Sequence, residues 1–213
     1  MSTNLLILGT RTFAIETADI VSEIPEIQTA GFVENLDRDR CRDKLEGLSV
    51  YWIDELTDLA ESHYAVCALS TTHRKKFIEQ AAQYGLSFTK IIHNSSRISS
   101  TSCVGNGSII HPGSIIASHT SLGQHVIVNR GALIGHHTEI GDYSSVQPGA
   151  NIAGACSIDQ SVYIGMGSVI IDKVSVGANS VIAAGAVVVN DVPANVMVAG
   201  VPGKIIKQNI DGK

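Results

Sequence analysis

Ile134-Gly-His-His-Thr-Glu-Ile140-Gly-Asp-Tyr-Ser-Ser-Val146-Gln-Pro-Gly-Ala-Asn-Ile152 places a large aliphatic residue at every sixth position. Followed outward in both directions, the row runs unbroken through Val104, Ile110, Ile116, Leu122, Val128, Ile134, Ile140, Val146, Ile152, Ile158, Ile164, Ile170, Val176, Ile182 and Val188. At a background near one apolar residue in three, fifteen consecutive matches arise by chance less than about once in a million trials, so the period is real. Four positions after each large residue stands a mostly small one, including Ser108, Ser114, Thr120, Ala132, Thr138, Ser144, Ala150 and Cys156. One large and one small inward position per six fit a narrow interior in which short strands turn sharply and stack as parallel coils. Gly105, Gly123, Gly135, Gly141, Gly165 and Gly177 directly follow the large residue and are expected to ease the turns.

Upstream of about His93 to Ser100 the pattern changes. Leu5-Leu6-Ile7-Leu8-Gly9 reads as a buried strand, Thr12 to Glu23 as a helix and Ala30 to Val33 as a second strand. Ile53 to Glu61 reads as a short helix, Tyr64 to Leu69 as a third strand, and Thr71 or Thr72 as the cap of a helix ending at Tyr84 before Gly85. Such alternation predicts a small parallel sheet covered by helices. The expected organisation is an α/β Rossmann-like substrate-binding domain over residues 1–95, a β-helix over 98–194 and a tail over 195–213. Pro193 and Pro202 are expected to take that tail out of regular pairing.

Composition narrows the function. A formal charge of −5 without long single-sign runs argues against nucleic acid as a partner. No stretch approaches the ~20 apolar residues of a membrane span. The four cysteines, Cys41, Cys67, Cys103 and Cys156, lack metal or redox spacing, which fits a cytoplasmic protein. Five of the eight histidines, His111, His119, His125, His136 and His137, fall within the repeat. His119 and His137 are eighteen residues apart, and His136 and His137 follow Ile134 at an outward corner. A neutral imidazole is suited to general-base chemistry, and glycine-rich coils offer backbone N–H groups to an oxyanion.

The run from Ile134 to Gly154, with Gly177-Ala-Asn-Ser-Val-Ile-Ala-Ala-Gly-Ala-Val-Val-Val-Asn-Asp-Val-Pro193 and Gly200-Val-Pro-Gly-Lys204, resembles the bacterial sialic-acid O-acetyltransferase and PglD-type sugar N-acetyltransferase family of the hexapeptide-repeat acyltransferases. Phe32-Val33-Glu34-Asn35 and Leu69-Ser-Thr-Thr-His-Arg-Lys-Lys76 extend the resemblance over nearly the whole chain. It implies a left-handed parallel β-helix with eighteen residues per coil. It further implies a cytoplasmic homotrimer that moves an acetyl group from acetyl-CoA to an amino or hydroxyl group of a sugar, expected to be nucleotide-linked, for surface polysaccharide or glycan synthesis. In that family the general base matches His136, with His137 beside it. Ser145, Met166, Ala184, Gly185, Gly200, Val201 and Pro202 fall in segments that line the acetyl-CoA groove, and no metal is expected. Gly9, Thr10, Arg11, Glu34, Asn35, Asp37 and Thr71 fall where the sugar nucleotide is held.

Three departures stand out. Relatives often carry a carboxylate directly after the catalytic histidine, where this chain has His137, leaving Glu139 or Asp142 as substitutes. Ser145 replaces a second histidine that helps hold the thioester. Gly9-Thr10-Arg11-Thr12-Phe13-Ala14 lacks the glycines that let a diphosphate approach, so Arg11 is expected to reach the phosphate itself. A β-helical carbonic anhydrase is disfavoured because no histidine trio has its zinc spacing. A non-catalytic scaffold, or an acceptor other than a nucleotide sugar, remains as an alternative.

Overall fold

The computed structural model describes residues 2–213 and divides into two compact units, one running up to Ser70 together with Arg74–Asn94, the other comprising Thr71–His73 and Ser95–Lys213. In the first unit β1 (Thr3–Leu8), β2 (Ile27–Glu34), β3 (Val50–Trp52), β4 (Tyr64–Cys67) and β5 (Ser87–Phe88) form a sheet of order β3-β2-β1-β4-β5, parallel throughout. Leu5 to Leu8 are wholly buried, as a central parallel strand covered on both faces requires. Helix α1 (Thr12–Ser22) follows β1, and α2 (Leu56–Leu59) and α3 (Lys75–Gln83) precede β4 and β5. The strand order reverses at β1, and in open parallel sheets the crevice at the carboxyl ends beside such a point is where ligands bind.

Local differences from the sequence reading have physical causes. β2 is longer than the Ala30–Val33 core because Ile27 to Thr29 pair with β1 despite their partial exposure. β3 and β5 are three and two residues long, too short to show a period. Ile53 to Glu55 forms a 3₁₀ turn ahead of α2 rather than one continuous helix. Thr71 caps the 3₁₀ turn Thr72–Arg74 that leads into α3, its Oγ1 accepting from His73 N–H at 3.1 Å, while α3 itself begins at Lys75 without a side-chain cap. Thr72 Oγ1 accepts from the Lys213 N–H at 2.8 Å and donates to the Lys213 carbonyl at 3.1 Å, while the Thr71 hydroxyl donates to that same carbonyl.

The second unit is a left-handed parallel β-helix. From Arg97 to Val188 its strands are two residues long and each pairing joins residue i to i+18: Ile98, Ile116, Ile134, Ile152, Ile170 and Val188 form one stack, with equivalent stacks through Val104 and Ile110. The apolar row therefore extends at least to Ile98, one hexad before the sequence reading. Small inward residues bridge coils: Ser144 Oγ donates to the Asp159 carbonyl at 2.8 Å and accepts from Val162 N–H at 3.0 Å, and Ser108 and Thr138 repeat the arrangement. These buried hydroxyls are thus fully used.

The six glycines after the large residues do not make the turns. A Cβ on Gly135 would lie 2.5 Å from the Ala153 carbonyl carbon, and one on Gly165 2.5 Å from the Ile182 carbonyl oxygen, so these glycines permit close coil stacking. The turns are made two positions later, where the backbone is left-handed. The tail also departs from expectation. Val196–Ala199 continues one sheet in parallel against Val181–Ile182, and Lys204–Gln208 returns antiparallel to it. Val196 and Val198 point inward and are buried, so burial holds in the sheet a segment that the flanking prolines were expected to release.

Candidate active site

Each coil turns three corners, and the third residue after the large aliphatic takes positive φ at nearly all of them. One corner column reads Gly113, Gly131, Gly149, Gly167 and Gly185, with φ between 62° and 69°. A second holds His119, His137, Ala155 and Lys173, with φ between 56° and 62°. The same geometry thus accepts side chains at one corner and is left bare along another. At Gly131, Gly149, Gly167 and Gly185 a Cβ would meet nothing within 4 Å, so internal crowding does not explain the glycines.

His136 and His137 are exposed at the second corner. Their Nδ1 atoms lie 3.1 Å apart and the rings meet edge to face, with centroids 5.2 Å apart. One Nδ1 must carry the hydrogen and the other accept it. The His119 ring stacks one coil below His137 with a centroid separation of 4.8 Å. On the other side the His136 ring lies against Gly154, where a Cβ would come within 2.7 Å of Cε1 and Nε2. The backbone beneath is pinned by His137 N–H to Ser118 O at 2.9 Å and Ala155 N–H to His136 O at 2.7 Å.

In the first unit Gly9, Thr10 and Arg11 follow β1, and Asn35 and Asp37 follow β2, at the carboxyl ends of the strands. Glu34 is buried there. Its carboxylate accepts from the Thr10 hydroxyl, from Asn35 N–H at 2.9 Å and from Leu36 N–H at 2.8 Å. Burial pushes its pKa up, but the Thr10 hydroxyl and the backbone N–H groups outweigh that and hold it below the ordinary value. Asn35 Nδ2 donates to Gln80 at 2.9 Å, and Asp37 pairs with Arg40 at 3.3 Å, whose Nη1 donates to the Thr10 carbonyl. Arg11 is exposed at the N-cap of α1, whose first turn has neither a side-chain cap nor an acidic residue.

No protein-family model matches the chain, and no curated protein is significantly similar to it in sequence. Solved structures do match. A histidine-to-asparagine mutant of perosamine N-acetyltransferase from Caulobacter crescentus, in complex with CoA and GDP-perosamine, superposes with a TM-score of 0.89 at 26% identity over 96% of this chain and 97% of that one. WeeI from Acinetobacter baumannii AYE matches with a TM-score of 0.87 at 25% identity, over 96% and 100% of the two chains. Over nearly its whole length the chain is similar to sugar N-acetyltransferases of the hexapeptide-repeat type. The acetyltransferase domain of PglB from Neisseria gonorrhoeae FA1090, in complex with acetyl coenzyme A, shares the fold at a TM-score of 0.89 and 24% identity over 97% of this chain and 100% of that one.

Several expectations for a sugar N-acetyltransferase need correction in this chain. Neither Glu139 nor Asp142 bonds His136: the hydrogen-bond partner of the ring is His137, and Asp142 Oδ1 accepts instead from Gln124 N–H at 2.7 Å. Ser145 is fully buried between Ile127 and Tyr163, so its hydroxyl has no surface to offer a thioester. Both residues of Ile109–Ile110 and Ile127–Val128 are likewise buried, so the sheet face is closed at these neighbouring coils. Glu34 is a latch between the first turn and the segment after β2, with its oxygens already engaged. The Thr71 hydroxyl is committed to Lys213 and belongs to the second unit, apart from the other expected substrate residues.

The expected cosubstrate residues other than Ser145 do come together. Met166 and Ala184 are exposed on successive coils beside the glycine corner, and Gly185 N–H bonds Met166 O at 2.9 Å. Gly200, Val201 and Pro202 sit next to that ridge through Val187 N–H to Gly200 O at 3.0 Å and Gly203 N–H to Val187 O at 2.7 Å. One residue of the histidine corner escaped the sequence reading of the site, Gly154, whereas the stacking of His119 on His137 was expected from their spacing. The eighteen-residue spacing from 136 to 154 is the signal that identifies Gly154. Among the described residues no group of three or more His, Cys, Asp or Glu is arranged to hold a metal ion.

Proposed function

We propose that the chain transfers an acetyl group from acetyl-CoA to the amino group of a nucleotide-linked sugar. The observation that carries this reading is the likeness over 96% of the chain to a perosamine N-acetyltransferase solved with CoA and GDP-perosamine. His136 is the general base: its Nε2 takes a proton from the acceptor amine as the amine nitrogen bonds the thioester carbonyl carbon. Backbone N–H of the stacked coil at Gly154, beside the ring, donates to the oxyanion that develops. Collapse of the tetrahedral species breaks the C–S bond, and the departing thiolate takes up the proton held by His136. No acyl-enzyme is needed. Cys156 is buried at an inward position, bonded to Ile171 O at 3.2 Å, with its thiol pKa pushed up by burial.

The exposed glycine corner with Met166, Ala184, Gly185 and the Gly200–Pro202 segment receives the extended cosubstrate, whose length suits a bare backbone ridge. The amides at the start of α1 and the exposed guanidinium of Arg11 receive the diphosphate of the acceptor, since a helix N-terminus without an acidic residue favours an anion. A homotrimer fits the exposed column Ile115, Leu133, Asn151 and Val169 on one sheet face, apolar at all but Asn151, with Ile115, Leu133 and Val169 43%, 39% and 38% exposed. An N-acetylated nucleotide sugar is a glycosyl donor, which directs the product to polysaccharide or glycan synthesis in the cytoplasm, where acetyl-CoA is at hand.

The test is thiol release from acetyl-CoA with a panel of UDP- and GDP-linked amino sugars, comparing the intact protein with His136→Ala. Acceptor-dependent release that falls by two or more orders of magnitude in the variant is expected. Absence of release with every acceptor, despite measurable acetyl-CoA binding, refutes the reading.

A further inference from the structure

We propose that His137 is the positioning residue for His136, accepting the His136 Nδ1 hydrogen and so keeping Nε2 free to act as base, the task for which relatives use a carboxylate. This rests on the acetyltransferase reading above. The Nδ1 atoms are 3.1 Å apart, a distance that requires one hydrogen between them. If His136 donates, its Nε2 presents a lone pair to the acceptor. If His137 donates, the hydrogen of neutral His136 sits on Nε2 and the base is lost. One hydrogen bond therefore decides whether the exposed imidazole has the competent tautomer.

The surroundings hold this pair in place. The His136 ring is bounded by Gly154 on one side and by His137 on the other. His137 is fixed from below by its N–H to Ser118 O and by the stacked His119 ring. Charged and titratable groups around the pair are few. His119 lies on the coil below, and the coil above carries Gly154 and Ala155 in the same columns. Asp172 and Lys173 follow one coil further on, and Glu139 lies on the next strand. None of these carboxylates bonds either imidazole.

Asparagine separates this role from a structural one. Its Oδ1 is as many bonds from Cα as the histidine Nδ1, it accepts a hydrogen bond without titrating, and it tolerates the left-handed φ of 56° at this corner. Alanine removes the acceptor and should also fold, because Ala155 occupies the same corner one coil above at φ 57°.

The experiment uses the whole protein labelled with ¹⁵N-histidine, in a His119→Asn background so that the third imidazole does not contribute. Long-range ¹H–¹⁵N correlation at neutral pH reads the tautomer of His136, assigned by comparison with His136→Ala. We expect the Nδ1–H tautomer with His137 present, its retention in His137→Asn and its loss in His137→Ala. With whichever nucleotide-linked amino sugar turns over, His137→Ala should lower kcat/KM on the order of ten- to a hundredfold, and His137→Asn should recover most of that loss. A His136 hydrogen found on Nε2, a tautomer unchanged in His137→Ala, or no recovery of activity in His137→Asn would overturn the proposal. If the tautomer responds as expected but no acceptor turns over, the positioning stands and the acetyltransferase reading fails.

Discussion

Gly154→Ala tests the histidine corner without touching a histidine. Gly154 does not adopt positive φ, so alanine adds no backbone strain there. The new Cβ, however, would stand 2.7 Å from Cε1 and Nε2 of His136 and 3.1 Å from its Nδ1. An ordinary carbon contact of about 3.6 Å requires the ring to retreat by roughly 1 Å. The ring is exposed and free to swing outward, at a cost of about 0.5–1.5 kcal/mol if it leaves its rotamer. Displacing a reacting nitrogen by that much costs about a hundredfold in rate. Kinetics by thiol release and thermal unfolding by circular dichroism should thus separate: kcat/KM falls about a hundredfold while the midpoint drops by only a few degrees, as expected for about 1 kcal/mol. Gly135→Ala is the contrast, because its Cβ would lie 2.5 Å from backbone atoms Ala153 C and Gly154 N, which cannot swing away. That variant should lose stability first. Activity of Gly154→Ala within a factor of about two of the parent, set against the hundredfold expected, would refute the placement of the base.

Three further outcomes follow from burial and hydrogen bonding. Glu34→Gln should cost about 1–3 kcal/mol at neutral pH by weakening three hydrogen bonds to a buried acceptor, measured by urea unfolding. Because the folded-state pKa of Glu34 is lowered, its stabilisation is present above the unfolded-state carboxylate pKa and is lost as pH falls through the folded value; the variant should lack that part of the acid dependence. Ser145→His, which restores the histidine of relatives, should destabilise by about 1–3 kcal/mol through overpacking and leave acetyl-CoA affinity unimproved in a titration, since residue 145 is wholly buried. Cys156→Ser should keep turnover and remain within about 1 kcal/mol of the parent in thermal unfolding, because a hydroxyl at this inward position bridges coils as Ser144 and Thr138 do.

The β-helix was legible because every hexad repeats one packing problem, so weak local signals add along fifteen positions from Val104 to Val188. The eighteen-residue coil then allowed His119 and His137 to be stacked from spacing alone, and the rings do meet. The same periodicity says nothing about which face is closed, and Ser145 was misplaced for that reason. Its strand looks like its neighbours in sequence, yet both of its residues are buried. In the first unit β1 was visible as an apolar run, whereas β3 and β5 are too short for any period. Glu34 was recognisable as unusual, but its engagement with Thr10 links residues 24 apart and no local pattern reports it.

The corners themselves suggest how such a regular scaffold carries chemistry. A non-glycine residue in the left-handed region costs roughly 1–2 kcal/mol, and this chain accepts that cost at His119, His125, His137, Tyr143, Ala155, Ser161, Lys173 and Asn179. Positive φ is therefore a property of the coil and not in itself a mark of function. What distinguishes the corners is what each does with the same backbone. The glycine corner has open space for side chains at four coils and presents none of them, so its uniformity points outward, toward something that must approach the backbone closely. At the histidine corner the side chain does reach a neighbour: His137 meets His136 through Nδ1, and the ring it orients is bounded by a glycine one coil above. Under the proposed chemistry, a repeat that fixes backbone positions every eighteen residues lets a long cosubstrate run along one column while a base is positioned on another, with the identity of a few corner residues making the difference.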